Sequence, residues 1–435
     1  MAVDLSINLA GIRSPNPFWL ASGPPTNEGP MIMRAFEAGW GGAVWKTLGE
    51  PIVNVSSRLG SIDYGTRRML GLNNIELITD RPLAKNFQEI DEVKKRFPDN
   101  AVVVSLMVES KREAWHEIVK RTNDSGADGI ELNFGCPHGM SERGMGAAMG
   151  QVPDYTCMVT EWVKEVAKVP VLVKLTPNVT SILPPARAAV NGGADGLSLI
   201  NTINSVMGVD LDTWDVYPNV GGQSAHGGYC GPAVKPIALA MVNEIARDWR
   251  SGRVPLSGIG GIETWKDAVE FLLLGATGVQ VCTAVMHYGY RIVEDLIDGA
   301  TSYCESKGLA RVTDLVGQAA KKVTDWGKLD LNYVIKPRID YEKCVGCNLC
   351  YTACADGAHQ AFALDGPPVK VADGTTRPGP RVLDDQCVGC NLCHLVCPVP
   401  SCITMTRQET GHRPMTYEEF TASGLPRTAL AGYGS

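Results

Sequence analysis

The 435-residue chain is short of positive charge: 40 Lys and Arg stand against 47 Asp and Glu, a formal balance of -7, and no Lys/Arg run concentrates what there is. A basic footprint for nucleic acid is therefore missing. Long apolar runs are missing too. The most apolar late stretch, residues 268–285, is interrupted by Glu270 and Gln280, whereas a membrane-spanning helix needs about 18 or more uncharged apolar residues. The opening MAVDLSINLAG has neither the basic nor the apolar segment of an export signal. These gaps predict a cytoplasmic protein that binds neither nucleic acid nor membrane. Neither G-x-G-x-x-G nor a P-loop occurs in the sequence, so the common glycine signatures of nucleotide-phosphate binding are lacking as well.

What the chain has in excess is cysteine. Five of its 14 cysteines are scattered over the first 304 residues, and nine fall between Cys344 and Cys402. Without an export signal, such crowding points to metal rather than disulfides. The crowd is a duplicated run: Cys344-x-x-Cys347-x-x-Cys350-x-x-x-Cys354, then Cys387-x-x-Cys390-x-x-Cys393-x-x-x-Cys397-Pro398. This is the bacterial ferredoxin spacing, in which the fourth cysteine serves the other cluster. It assigns Cys344, Cys347, Cys350 and Cys397 to one [4Fe–4S] cluster, and Cys387, Cys390, Cys393 and Cys354 to a second. The alternative is a pair of zinc knuckles, but this spacing crowds three thiols into one tight loop. Ala355 stands where the second run has Pro398, and Cys402 reads as a buried apolar thiol.

The first 310 residues alternate short apolar runs with amphipathic stretches. Eight strands are predicted: Phe18–Ser22, Gly42–Thr47, Val102–Met107, Gly129–Asn133, Val171–Leu175, Gly196–Asn201, Val254–Gly258 and Gly278–Cys282. Runs rich in Val, Ile and Leu suit parallel strands buried on both faces. The phrases SGADGIEL, GGADGLSL and LGATGVQV each place a glycine where a helix gives way to a strand. Eight such units fit a (β/α)8 TIM barrel, with a doubly wound open sheet as the alternative. The prediction is an α/β chain: barrel over 1–310, linker over 311–335, a small two-cluster ferredoxin-like α+β domain over 336–406, and a polar tail over 407–435 that is poorly ordered unless it docks. The stretch 364–381, rich in Gly, Pro and Asp, reads as turns. Two connections, 136–151 and 202–231, are long and glycine-rich, and read as lids over an active site at the C-terminal ends of the strands.

Clusters in series move single electrons, and a flavin is the natural converter to two-electron chemistry. The loop Gly258-Ile259-Gly260-Gly261 and the pair Cys282-Thr283 suit a phosphate at the end of strands seven and eight; an ordinary tight turn is the alternative. Lys46 and Thr47 end strand two. Lys174, inside the apolar run VLVKLTP, needs a partner, either the anionic side of a reduced flavin or a structural ion pair. Cys136 heads the strand-four loop, where it suits an acid better than packing or a Cys136–His138 nucleophile pair. Asn74, Asn133, Asn201 and Thr202 gather polar side chains, three of them amides, at one barrel mouth; converging amides suit a ring alternating N–H and C=O, and a turn or cap is the alternative for any one of them.

ELNFGCPHGMSERGMG, KLTPNVT, INT, SGIGGIE and VQVCTA, followed by two ferredoxin runs, together resemble the catalytic subunits of bacterial NAD-dependent dihydropyrimidine dehydrogenases and the C-terminal half of the larger eukaryotic enzymes. The barrel alone is also similar to dihydroorotate dehydrogenase, which lacks the appended clusters. The resemblance implies FMN held by Ser22, Lys46, Thr47, Lys174, Gly231, Gly260, Gly261, Cys282 and Thr283. It implies pyrimidine contacts from Asn74, Asn133, Asn201 and Thr202, and a catalytic Cys136. Some relatives have Ser where this chain has Gly135. The implied reaction is reversible reduction of the C5–C6 bond of uracil or thymine, with hydride passing from FMN N5 to C6 and a proton from Cys136 to C5. Electrons would come from NAD(P)H through an FAD-containing partner flavoprotein and the two clusters. Relatives form homodimers, here expected within a hetero-oligomer. A dihydroorotate-type dehydrogenase and an electron-transfer subunit with no substrate of its own are the alternative readings.

Overall fold

The structure, a computed structural model, describes residues 3–431. It divides into two units, 1–323 and 324–435. In the first, eight strands close into a barrel: Phe18–Leu20, Gly42–Leu48, Ala101–Leu106, Gly129–Asn133, Val171–Lys174, Gly196–Leu199, Leu256–Ile259 and Gly278–Val281. Every neighbouring pair is parallel, and the last strand closes on the first through Val279↔Phe18 and Val281↔Leu20. The predicted barrel is therefore present and the open sheet is not. Its strands are buried because helices cover them outside and side chains fill them inside. The three repeated phrases turn from helix to strand at Gly126, Gly193 and Gly275, with φ of 77°, 93° and 121°, a left-handed turn that a Cβ disfavours. A hairpin of Ile7–Leu9 and Ile12–Ser14 packs at the start of the barrel strands, with Trp19 Nε1 donating to Ser14 Oγ at 2.9 Å.

At the other end, three connections build the mouth. Residues 202–231 do not form an open glycine loop. Ile203–Ser205 and Gly227–Cys230 join Arg67–Asn74 and Leu59–Tyr64 in a four-stranded antiparallel sheet. The last two strands belong to the connection after barrel strand two, which the sequence reading had not singled out as an insertion. The 136–151 connection is pinned by its first residue: Ser141 Oγ and Ala147 N donate to the Cys136 carbonyl at 2.6 and 3.0 Å.

The stretch predicted as a linker splits between the units. Residues 311–323 pack on the barrel, with Val312 and Leu315 buried and Ala319 N donating to Leu273 O at 2.9 Å. In the second unit, Ile335–Ile339 pairs with Ile403–Arg407, and Phe362–Lys370 with Thr376–Val382. This last ribbon replaces the predicted turns. Both of its strands are edges and its register is irregular around Gly366 and Pro368, so prolines cost few ladder hydrogen bonds. The tail docks. Thr416 and Glu419 cap the helix Tyr417–Ser423, and Asp330 and Asn332 bind the backbone of Met415, Arg413 and Ala431. No described helix is long and apolar enough to cross a membrane.

Candidate active site

A cleft open to solvent lies at the C-terminal ends of the barrel strands. The residues that the resemblance implied for FMN and pyrimidine all line it: Ser22, Lys46, Thr47, Asn74, Asn133, Cys136, Lys174, Asn201, Thr202, Gly231, Gly260, Gly261, Cys282 and Thr283. Gly258, read as part of the same loop, instead lies inside the strand and packs against Phe271.

One wall is a chain of hydrogen bonds across four strand ends. Ser22 Oγ lies 3.2 Å from Thr47 Oγ1, which accepts from Asn133 Nδ2 at 3.0 Å; Asn133 Oδ1 accepts from Asn201 Nδ2 at 2.9 Å. Asn201 Oδ1 accepts from the Thr202 amide at 2.8 Å. The amides thus orient one another. Asn74 arrives from the antiparallel roof, where its Nδ2 donates to Gly228 O at 3.5 Å. Gly135 lies against Asn201, and any side chain at 135 would displace that amide.

Beneath them is a charged network that sequence reasoning missed except for its lysines. Lys46 is paired with Glu76, which Arg58 also approaches at 3.5 Å. Lys174 Nζ lies 3.6 Å from Oε1 of Glu131, which is fully buried. Glu131 Oε2 accepts from Ser198 Oγ at 2.8 Å and from Gln280 Nε2 at 2.9 Å. Lys174 therefore has a protein counter-charge, although the sequence signal that flagged it could not name Glu131 on another strand. Gln280 Oε1 is buried without a hydrogen-bond partner and borders the cleft.

The third feature is a glycine turn. Gly231, Gly260 and Gly261 have φ of 91°, 129° and 72°. A Cβ at Gly261 would stand 2.8 Å from Lys235 Cβ and 2.9 Å from Gly231 O. Beside it, Thr283 opens the short helix Thr283–Tyr288, and no side chain caps its first turn. Free backbone amides and a hydroxyl at one place suit a phosphate. Thr283 Oγ1 donates to Cys230 Sγ at 3.3 Å. Burial pushes Cys230 up to about 11 and Cys282 up to about 12, so both remain thiols at neutral pH.

Cys136 packs on a small apolar cluster containing Ile78, Met107, Met140 and Met145. Its sulfur donates to the His138 carbonyl at 3.5 Å, not to the imidazole, so the Cys–His nucleophile pair is not formed. Burial pushes the Cys136 thiol up to about 11 and holds His138 below the ordinary imidazole range. His138 Nε2 meets Glu76 O at 3.2 Å.

In the second unit, one cavity is lined by Cys344, Cys347, Cys350 and Cys397, and another by Cys354, Cys387, Cys390 and Cys393. Among the described residues no three His, Cys, Asp or Glu side chains converge on a single ion. Thiols spread around a cavity fit a polynuclear cluster better than one tetrahedral zinc. Cys402 is buried, as expected, but it also borders the first of these cavities.

Residues 4–303 match the family described as dihydroorotate dehydrogenase, and residues 337–405 match the 4Fe-4S dicluster domain. The chain belongs to the dihydroorotate dehydrogenase family. The NAD-dependent dihydropyrimidine dehydrogenase subunit PreA of Escherichia coli K12 is 42% identical over 360 residues, 82% of this chain and 87% of that one. The chloroplastic dihydropyrimidine dehydrogenase (NADP(+)) of Arabidopsis thaliana is 41% identical over 332 residues, 74% of this chain and 78% of that one. The catalytic subunit of dihydroorotate dehydrogenase B (NAD(+)) from Pyrococcus abyssi is 36% identical over 319 residues, 73% of this chain and 99% of that one. The chain is accordingly a flavin and iron–sulfur oxidoreductase of the dihydropyrimidine dehydrogenase type, with FMN and two [4Fe–4S] clusters as cofactors. The cleft fits FMN. It offers a glycine cradle whose φ values a Cβ would disfavour, the Lys46 and Lys174 cations, and the unpartnered Gln280 oxygen at one edge.

Proposed function

We propose that this chain reduces the C5–C6 double bond of uracil or thymine to the 5,6-dihydropyrimidine, reversibly. The carrying observation is a thiol, Cys136, that shares one cleft with an amide row and a turn of positive-φ glycines. In this reading Gly231, Gly260, Gly261 and Thr283 hold the FMN phosphate. Ser22, Lys46, Thr47 and Cys282 would hold the rest of the cofactor, and the Lys174 ammonium would stabilise the negative charge of its reduced form. The chemistry FMN would supply there, when bound, is hydride donation to C6 of the pyrimidine. Asn74, Asn133, Asn201 and Thr202 hold the pyrimidine edge, where amides pair with alternating N–H and C=O groups. Cys136 donates its proton to C5, quenching the charge left by hydride addition.

The eight cysteines lining the two cavities ligate the clusters in the crossed arrangement. Electrons enter through those clusters from a separate FAD flavoprotein that oxidises NAD(P)H, and the chain acts as a dimer within that larger assembly. Two relatives carry the word subunit in their names, which supports a divided enzyme.

The test is to reduce the pure chain with dithionite under anaerobic conditions and add pyrimidines. Uracil or thymine should reoxidise the flavin. Cys136→Ala should slow that step by about 10²–10⁴-fold, the usual contribution of a general acid, with FMN and iron content unchanged. Reoxidation by orotate but not uracil would instead favour a dihydroorotate-type enzyme. An unslowed Cys136→Ala would remove the acid role.

A further inference from the structure

The two ligand loops share one phrase, Cys-Val-Gly-Cys-Asn-Leu-Cys, at 344–350 and 387–393. Its asparagines, Asn348 and Asn391, both take the left-handed backbone, with φ of 60° and 72°. Each precedes a short helical turn, Leu349–Tyr351 and Leu392–Leu395, and an asparagine there ordinarily caps the turn through Oδ1. Neither does so. Their backbone carbonyls serve the turn instead: Asn348 O accepts from Thr352 N at 2.9 Å, and Asn391 O from His394 N at 3.1 Å.

Both Oδ1 atoms are buried and without a hydrogen-bond partner. Asn348 borders the cavity of Cys344, Cys347, Cys350 and Cys397; Asn391 borders that of Cys354, Cys387, Cys390 and Cys393. An unpaired buried amide is costly, and the same orphan in both repeats points to a shared cause. The two ends of an amide are nearly the same size, so a half-turn about χ2 places Nδ2, a donor, where Oδ1 stands. A cluster wrapped in four thiolates presents many sulfur acceptors and no donor.

We propose that Asn348 and Asn391 each direct a side-chain N–H to the sulfurs of the cluster in its own cavity and raise that cluster's reduction potential. A hydrogen-bond donor stabilises the more negative, reduced state, which is the direction in which such bonds tune iron–sulfur centres. Backbone geometry alone does not require the amide, since glycine meets the left-handed conformation at least as well. The inference rests on the proposed ligand assignment.

The experiment uses the full chain carrying Asn348→Gly, Asn391→Gly or both, in anaerobic redox titrations followed by electron paramagnetic resonance. Glycine keeps the backbone and deletes the amide. Each single variant should keep its full iron content and lower one of the two cluster potentials, and the double variant should lower both. A tenfold loss of preference for the reduced state is about 59 mV for a one-electron couple. Asn348→Asp, which presents only acceptors, should lower the same couple as Asn348→Gly, and further. Full iron content with both potentials unmoved would overturn the proposal. So would loss of one cluster in a folded glycine variant, which would make the amide a structural part of the loop. If the unmutated chain binds fewer than two clusters, the ligand assignment fails first, and iron analysis separates that failure from this one.

Discussion

Cys136 carries the proton in the proposed reaction, and its surroundings set the pH range over which it can do so. An ordinary thiol loses its proton near pH 8.5, and from the sequence alone the rate would be expected to weaken there. Burial instead pushes this thiol up to about 11. The donor is the protonated form, which is present below that value and lost as pH rises through it. Single-turnover reoxidation of the reduced flavin by uracil should therefore show no loss assignable to Cys136 between neutral pH and about pH 10. A limb at pH 8–9 that disappears in Cys136→Ser would contradict the buried setting. The same scale holds a stability prediction. Glu131 is fully buried against Lys174, Ser198 and Gln280. Glu131→Ala would strand a buried ammonium, a change that costs about 3–5 kcal/mol. Urea unfolding of the barrel, followed by tryptophan fluorescence, should show that loss; Glu131→Gln removes the same counter-charge and should also be destabilised, but less, because it leaves no cavity and one oxygen can still accept from Ser198 and Gln280.

In the proposed reading, the turn after barrel strand seven is the end of an element that holds the FMN phosphate. Gly261 combines a φ of 72° with the close approach of Lys235 and Gly231. Left-handed backbone costs a residue with a Cβ roughly 1–2 kcal/mol, and here the new methyl also has to move a neighbour. Gly261→Ala should weaken FMN binding by about tenfold or more, the equivalent of about 1.4 kcal/mol, read from release of flavin fluorescence. That glycine cluster was legible in the sequence because it stood at the end of a buried apolar strand, and the eight barrel strands were legible for the same reason. The roof was not. Leu59–Tyr64 is largely exposed and Arg67–Asn74 begins exposed and ends buried, so neither shows the alternation that marks a half-buried strand. The ribbon from Phe362 to Val382 was misread because proline and glycine usually signal turns, and only the pairing reveals that they sit on open edges. Lys174 was conspicuous as a charge in an apolar run. Glu131, Glu76 and Gln280 were not, because their meaning depends on partners that other strands supply.

At the scale of the whole molecule, the barrel cleft belongs to one unit and the two cysteine-lined cavities to the other. The sequence carries no dinucleotide or P-loop fingerprint. If nicotinamide is oxidised on a separate flavoprotein, NADH or NADPH added alone should leave the FMN yellow, and bleaching without a reductase would place a nicotinamide site on this chain. The route of the electrons is then open to a single substitution. Cys350 is buried on the wall of the first cluster cavity, and it makes no part of the barrel cleft. Cys350→Ala should remove one cluster's iron and leave FMN bound, because the barrel has its own core. Dithionite is a small reductant that meets the flavin directly, so dithionite-driven uracil reduction should persist in this variant. Turnover driven by NADH and the partner flavoprotein should collapse if electrons pass through both clusters in series. Undiminished partner-driven turnover in a chain shown by analysis to lack that iron would mean that the first cluster is off the path, and that the partner reaches the flavin another way.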